Sequence, residues 1–293
     1  MEKFKGIFTA LLTPFDQTGK INFDSLEKLI EFNLVKGING FYVCGSTGEG
    51  MLMSTAERIE ILKFVSKINS GRATLIGHVG TICTNDAIEM ACVAESLGYD
   101  AISAVAPFYY GFSFEAIKAY YQDIVSSVNL PMIIYNFPNS GGFNFTSGMA
   151  EDFFADERFI GIKHTSQDLY TLERFKKLKR KIIVYNGYDE MLLAGLTMGA
   201  DGGIGSTYNF MPDKILAIYN NFKAGKIEKA RAVQGEVNDI ISELIKYGVF
   251  NSEKEILTKL GIPMGECRKP FLPLTDAGKI AIEKIANKLK EEK

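Results

Sequence analysis

The chain has 293 residues, of which 46% are hydrophobic, so it is large enough for one α/β barrel or for two ordinary domains. Its 33 basic and 35 acidic residues give a net charge of −2, which favours neither nucleic acid nor an anionic membrane as a partner. No apolar run reaches the roughly 18 residues of a membrane span, and the four cysteines lack metal-ligand spacing. The composition therefore predicts a cytoplasmic protein with reduced thiols and no bound metal.

Short apolar runs alternate with longer amphipathic segments along most of the chain. Strands are predicted over residues 6–12, 40–45, 74–80, 101–106, 131–135, 159–166, 181–186 and 202–206. Helices are predicted between them over residues 22–35, 55–68, 85–97, 114–125, 147–154, 168–178, 190–198 and 212–222. Ser54 or Thr55 is expected to cap the second helix, and Gly98 to end the third.

Eight strand-helix units follow one another without a sequence repeat, which predicts an α/β fold, a (β/α)8 TIM barrel over residues 1–224. Beyond residue 224 the strand patterns stop. Helical patterns over residues 226–247, 252–260 and 277–290 predict a C-terminal helical extension, residues 225–293, packed on the barrel. Active sites of such barrels lie at the C-terminal ends of the strands, so functional side chains are expected where the strands end.

The segment after the second strand, residues 45–50, combines glycines with the hydroxyls of Ser46 and Thr47. Its backbone N–H groups and hydroxyls are suited to a carboxylate, whereas a plain glycine-rich turn is the alternative. The fifth strand ends at Tyr135, opposite the end of the next strand. The phenol is either core packing or a group for proton transfer to a reacting carbonyl.

The sixth strand carries a lysine close to its end. Alternation along the strand puts Lys163 and Thr165 on one face. It puts Ile160 and His164 on the other face, toward the helices, so His164 is expected to be structural. A lysine in a dry site has a lowered pKa and a nucleophilic neutral amine, which makes Lys163 a candidate Schiff-base lysine. A strand-end lysine that reaches water is the alternative.

The seventh strand is followed by Asp189 and Glu190, and the eighth lies among glycines before Ser206. In many barrels these two loops hold phosphate, but the two carboxylates would repel an anion. Carboxylates accept hydrogen bonds from hydroxyls, so a neutral polyhydroxyl ligand is predicted instead. For Asp189, capping of the next helix is the alternative.

Three motifs at these strand ends resemble those of a known family: Gly-Ser-Thr-Gly-Glu at 45–49, Tyr-Asn-x-Pro at 135–138 and Gly-Ile-Lys-x-Thr at 161–165. Together they are similar to the pyruvate-dependent class I aldolases, a family that includes the sialic acid lyases and the dihydrodipicolinate synthases. The resemblance extends from near Gly6 to about Pro270. Segments 186–190, 199–209 and 267–271 resemble the sialic acid lyases in particular.

The resemblance implies reversible cleavage of a sialic acid with release of pyruvate, and no cofactor beyond a covalent imine on Lys163. The implied catalytic residues are Lys163, Tyr135 as proton relay, Ser46, and Tyr109, which reaches the site of a neighbouring subunit. Ser46 and Thr47 are implied to hold the substrate carboxylate. The hydroxylated chain of the sugar is implied to contact Thr165, Gly187, Asp189, Glu190 and Ser206. A homo-oligomer, usually a tetramer, is also implied.

Two alternatives to this activity differ in their sequence support. The dihydrodipicolinate synthases carry an arginine shortly after Tyr-Asn-x-Pro that holds a second carboxylate, and residues 139–142 contain none. A buried carboxylate without a partner is costly, so the synthase is disfavoured, and an aldolase for another acid such as 2-keto-3-deoxygluconate is the other alternative within the family. A catalytically silent sugar-acid binder is disfavoured because Lys163 and Tyr135 are both present.

Overall fold

The computed structural model of the chain describes residues 1–141 and 143–291; Gly142, in the segment that lacks the synthase arginine, lies outside them. Eight parallel strands follow one another around a closed barrel, with the last paired to the first. They are β1 Gly6–Ala10, β2 Gly40–Val43, β3 Thr74–His78, β4 Ala101–Val105, β5 Met132–Asn136, β6 Phe159–His164, β7 Ile183–Asn186 and β8 Gly202–Gly205. The predicted (β/α)8 barrel is confirmed.

Helices surround the barrel and extend beyond its last strand. They are α1 Phe23–Lys36, α2 Thr55–Asn69, α3 Thr84–Ser96, α4 Phe114–Ser126, α5 Pro138–Gly141, α6 Ser147–Phe153, α7 Leu169–Lys176, α8 Leu192–Thr197, α9 Pro212–Lys223, α10 Ile227–Tyr247, α11 Val249–Lys259 and α12 Asp276–Glu291. Short 3-10 helices lie at Glu2–Phe4, Gly50–Leu52, Asp189–Met191 and Thr207–Asn209. No helix in residues 1–141 and 143–291 has both the length and the apolar character needed to cross a membrane.

Local sequence signals explain where several helices begin and end. Ser54 accepts a hydrogen bond from Glu57 N at 3.2 Å, and the Glu57 carboxylate accepts one from Ser54 N at 2.9 Å, which forms a capping box at α2. Gly98 follows α3 with a φ of +74°, as predicted. Gly248 separates α10 from α11 directly, so α11 begins at Val249 rather than at residue 252.

Two layers of apolar packing position the strands. An outer core lies between strands and helices. An inner core fills the barrel with side chains of the strands, including Phe8, Tyr42, Ile76, Ile133, Tyr185 and Ile204. Phe4 joins this inner core before β1, and its carbonyl accepts a hydrogen bond from the Tyr185 hydroxyl. The end of the barrel opposite the predicted site is therefore filled.

A β-bulge interrupts the pairing of β5 with β6 next to Met132. The extra residue is Ile160, which packs in the inner core, whereas Ile162 packs in the outer core. The predicted alternation, which put Ile160 on the helix side, is wrong. A bulge adds one residue to the strand, so the side chains that precede the end of the bulge point to the opposite face from the one that strict alternation gives. Beyond the bulge, Lys163 points into the barrel and His164 toward α7, as predicted.

The C-terminal helices contact the helices and loops that follow the last strands of the barrel. Helix α10 lies along α9, and α11 contacts α12 and the 3-10 helix after β8. The side chain of Gln234 on α10 donates to the Asp189 carbonyl at 3.1 Å and accepts from Leu193 N at 3.0 Å. The helix predicted over 190–198 starts here as a 3-10 turn before α8. The domain boundary after residue 224 stays a prediction.

Candidate active site

A cavity of about 310 Å³ opens at the C-terminal ends of the strands. The predicted site residues that line it are Ser46, Thr47, Tyr135, Lys163, Thr165, Gly187, Asp189, Glu190 and Ser206. They follow or end five different strands, so the closed barrel brings together residues that are far apart in sequence. Tyr109 is the one predicted site residue that does not line the cavity.

Lys163 lies inside this cavity with 4% of its surface exposed. Its Nζ lies 4.2 Å from the ring centroid of Tyr135 and 4.5 Å from that of Tyr42. It makes no hydrogen bond or ion pair with the part of the chain that is described. Burial lowers the pKa of Lys163 to about 7, although the Asp189 carboxylate opposes the fall. The amine is therefore substantially neutral and nucleophilic at neutral pH, and the alternative of a strand-end lysine in water is wrong.

Tyr135 stands beside Lys163 because the two residues are register partners in β5 and β6. Its ring stacks on Phe137, with 5.7 Å between the centroids. Burial raises the pKa of the phenol, and the hydroxyls of Ser46 and Thr165 oppose the rise. The phenol therefore carries its proton at neutral pH and lies among an amine and two hydroxyls, a placement suited to proton transfer.

The loop after β2 forms a tight turn at the edge of the cavity. Glu49 N donates to the Ser46 carbonyl at 3.0 Å, and Glu49 has a φ of +58°. Among the described residues, no acceptor faces the backbone N–H groups of Ser46, Thr47 and Gly48. Free N–H groups next to two hydroxyls form a concavity that suits an anion such as a carboxylate.

Thr165 and Gly187 meet where the ends of β6 and β7 adjoin. Thr165 is 5% exposed, and its Oγ1 lacks a well-aligned hydrogen-bond partner among the described residues. A Cβ at position 187 would lie 1.9 Å from that Oγ1. Glycine is therefore needed for the two segments to approach. The buried hydroxyl is left available to a ligand in the cavity.

Asp189 is a buried acid in the cavity wall. Its Oδ2 accepts hydrogen bonds from Thr207 N at 2.8 Å and from Thr207 Oγ1 at 2.7 Å. Burial raises the pKa of Asp189 to about 6 against the effect of these bonds. None of the described side chains caps the 3-10 helix that starts at Asp189 or helix α8, so the capping alternative is wrong. Asp189 and the neighbouring Glu190 both line the cavity, where their carboxylates suit the hydroxyl groups of a ligand.

Ser206 is supported by a residue that sequence reasoning missed. Its hydroxyl donates to Oε1 of Glu253 at 2.6 Å. Glu253 lies on α11, is fully buried, and its Oε2 has no partner in the described part of the chain. Burial raises the pKa of Glu253 well above its ordinary range, and Asp189 acts in the same direction. The surrounding pattern predicts only an amphipathic helix, so no local signal identifies this acid.

Apolar residues of the C-terminal helices also line the cavity and were not identified from the sequence. They are Ile241, Ile245, Val249 and Phe250. Ile245 is 62% exposed and lies outside the buried stripe of α10. An isoleucine at the edge of the apolar stripe of α10, beyond what packing on the barrel requires, is the signal that could have indicated these residues.

Tyr109 lies in an exposed aromatic cluster after β4. It is 85% exposed, has a φ of +83°, and its ring centroid is 4.9 Å from that of Tyr110. Phe112 packs edge-on against Tyr110, with 5.7 Å between the centroids. Three adjacent exposed aromatic rings are unusual on a protein surface and are typical of an interaction site.

Both histidines have structural roles, which confirms the prediction for His164. His164 Nε2 donates to the Asp168 carbonyl at 3.0 Å. His78 Nε2 accepts from Val105 N at 3.2 Å, so Nδ1 carries the proton and donates to the Cys44 carbonyl at 3.2 Å. Burial lowers the pKa of both imidazoles. Neither histidine lines the cavity.

The sequence matches the dihydrodipicolinate synthetase family over residues 3–289. It is 45% identical over 282 residues to the N-acetylneuraminate lyase of Rhizobium meliloti (strain 1021), a match that covers 96% of this chain and 93% of that protein.

Solved structures show the same likeness. CdNal from Clostridium difficile, in complex with mannosamine, has a TM-score of 0.95 and 38% identity over 98% of this chain and 99% of that one. A catalytic lysine mutant of the Ruminococcus gnavus sialic acid aldolase has a TM-score of 0.95 and 31% identity over 100% of this chain and 98% of that one.

Proposed function

The chain belongs to the dihydrodipicolinate synthetase family, and from that premise we propose that it is a Schiff-base aldolase that cleaves N-acetylneuraminate reversibly to N-acetylmannosamine and pyruvate. The observation that carries the chemistry is Lys163, a buried amine whose pKa is lowered at the end of β6. Likeness to N-acetylneuraminate lyases over nearly the whole chain supports the substrate.

The reaction begins when Lys163 Nζ adds to the ketone carbon, C2, of the open-chain sugar acid and water leaves, which gives a protonated imine. The C4 hydroxyl then gives its proton to Tyr135 as the phenol passes its own proton to the substrate carboxylate at Ser46, which can return it to C3 in the last step. The C3–C4 bond breaks, and its electron pair moves toward the imine nitrogen. The products of this step are the aldehyde of N-acetylmannosamine and an enamine on Lys163. A proton added at C3 and water added at C2 release pyruvate and the free amine.

The two ends of the substrate meet different walls of the cavity. Ser46 and Thr47 hold the carboxylate, supported by the free N–H groups of their turn. The hydroxylated chain lies along Thr165, Gly187, Asp189, Glu190 and Ser206, which line the same cavity. The buried carboxylate of Asp189, the half-buried carboxylate of Glu190 and the Thr165 hydroxyl there match hydroxyl groups of the sugar.

A homotetramer is the assembly that fits this proposal. The exposed aromatic cluster at Tyr109, Tyr110 and Phe112 is suited to burial against a second copy. Tyr109 then extends toward the site of the neighbouring subunit. A cytoplasmic location also fits, since Cys83 and Cys92 are exposed free thiols, which persist in reducing compartments.

The decisive experiment is incubation with pyruvate and borohydride, which reduces an imine to a stable secondary amine. We expect one adduct, on the peptide that contains Lys163, and none in Lys163→Ala, which should fold but not turn over. An unmodified Lys163 peptide in the wild type would contradict the imine. Pyruvate release from N-acetylneuraminate, compared with release from 2-keto-3-deoxygluconate, tests the sugar specificity; synthase activity with aspartate semialdehyde is measured alongside.

A further inference from the structure

A buried ion pair joins the loop after β2 to the C-terminal helices. Lys254 of α11 contacts Glu49 of the loop, with 2.5 Å between Nζ and Oε1. The two side chains are 1% and 0% exposed. Neither residue lines the cavity, but Glu49 belongs to the turn that presents Ser46 and Thr47 to it.

The other polar atoms of the pair also have partners. Glu49 Oε2 accepts a hydrogen bond from the backbone N of Arg268 at 2.7 Å, and Lys254 Nζ donates to the Glu266 carbonyl at 3.3 Å. Lys254 Nζ also lies 4.4 Å from the ring centroid of Phe15. The turn is therefore held by two parts of the C-terminal extension, α11 and the segment between α11 and α12.

The position of Glu49 affects the shape of the turn that forms the predicted carboxylate site. Its own backbone N–H closes the turn onto the Ser46 carbonyl at 3.0 Å. The Gly48 carbonyl accepts from Thr13 Oγ1 at 2.7 Å, which fixes the other side of the turn. A shift of Glu49 is thus transmitted over three residues to the hydroxyls and N–H groups of Ser46 and Thr47.

The energetics indicate that the contribution of this pair is geometric. Two charges lose much of their attraction to the cost of leaving water, and apolar pairs of similar volume often stabilise a fold equally well. An ion pair whose polar atoms all have hydrogen-bond partners differs from an apolar pair because it fixes the distance between the two side chains and their relative orientation.

We propose that Glu49 and Lys254 are a positioning pair: they set the place of the carboxylate-binding turn, so that affinity for pyruvate depends on a helix outside the barrel. The inference rests on the proposed function, which assigns the carboxylate to Ser46 and Thr47. Lys254 itself does not contact the substrate, because its ammonium group is paired with the Glu49 carboxylate.

The test measures the pyruvate concentration that half-saturates borohydride trapping in the full-length protein. The double variant Glu49→Gln/Lys254→Met removes both charges at similar volume and leaves no buried charge without a partner. We expect the half-saturating concentration to rise about tenfold or more while trapping at saturating pyruvate stays near the wild-type rate, because small misplacements of positioning groups cost 10- to 10²-fold. Lys259→Met, on the partly exposed side of the same helix, is the matched control and should change neither value.

A folded double variant with wild-type half-saturation overturns the inference. If the double variant does not fold, Glu49→Asp decides, since it keeps both charges and shortens the link by one methylene. We expect a several-fold rise in its half-saturating concentration, and an unchanged value overturns the inference. A wild type that is not trapped at all contradicts the proposed function itself, so the two failures are distinguishable.

Discussion

Substitution of Lys163 by methionine separates two effects of this residue: the loss in free energy of unfolding caused by its buried amine, and its proposed role in imine formation. Methionine has a similar length and no charge, so packing in the cavity is largely kept. Burial lowers the pKa of Lys163 from its ordinary value of 10.5 to about 7. Between these pH values the unfolded state binds a proton that the folded state does not. The stability of the wild type therefore rises with pH across this window, and the cost of the buried amine is gone above it.

The lowered pKa of Lys163 also gives the size of the free-energy cost. A tenfold change in proton affinity is worth about 1.4 kcal/mol, so the amine costs the fold about 4 kcal/mol at pH 7 and about 2 kcal/mol at pH 9. We therefore expect Lys163→Met to be inactive but more stable than the wild type at pH 7, with a smaller advantage at pH 9. Urea unfolding of both proteins, at equal protein concentration, measures the difference. A difference in the free energy of unfolding that stays constant from pH 7 to pH 9 would refute the reasoning, whatever its size.

Three further predictions concern the other walls of the cavity. Tyr135→Phe should lower kcat by about 10²-fold in steady-state assays while borohydride trapping of pyruvate persists, because only proton transfer is lost; an unchanged kcat contradicts the relay. Gly187→Ala should raise the KM for the sugar acid and lower thermal stability, since the new Cβ would lie 1.9 Å from Thr165 Oγ1. Gly235→Ala, at an exposed position of α10 where a Cβ would meet no described atom outside the local helix backbone within 4 Å, is its control. It should leave the KM unchanged and should not lower thermal stability, because alanine favours a helix more than glycine does. The KM for the sugar acid should rise as the pH falls through about 6, the pKa of Asp189, because protonation removes a charged acceptor; Asp189→Asn should flatten that rise, and a rise that persists in this variant would point to another group.

The strand ends could be predicted from sequence because their signals are local. The apolar run before Lys163, the glycine-rich turn after β2 and the order of eight units fix which ends lie together in a closed barrel. Adjacency of Tyr135 and Lys163 then follows from neighbouring strands of similar length, and the register confirms it. Family motifs added the substrate, which no single-residue argument supplied.

What could not be predicted depends on contacts without a local signal. The bulge at Ile160 leaves the apolar pattern of β6 unchanged, so sequence alternation assigned the wrong face. Glu253 and Lys254 look like ordinary charged residues of an amphipathic helix. Their burial arises because α11 crosses the end of the barrel, where Glu253 meets Ser206 and Lys254 meets Glu49. Such pairs are visible only once the tertiary packing is known.

The filled interior of the barrel also sets an order of events for the proposed reaction. Phe4 and the inner core block the end at which the strands begin, so the cavity is reached from the other end, where Ile245 and Phe250 are among its lining residues. The pyruvate fragment, attached to Lys163, lies deeper than the sugar fragment. The aldehyde must therefore diffuse out before pyruvate is released, and in the direction of synthesis pyruvate must enter first. Steady-state kinetics should accordingly be ordered, with pyruvate as the last product to leave.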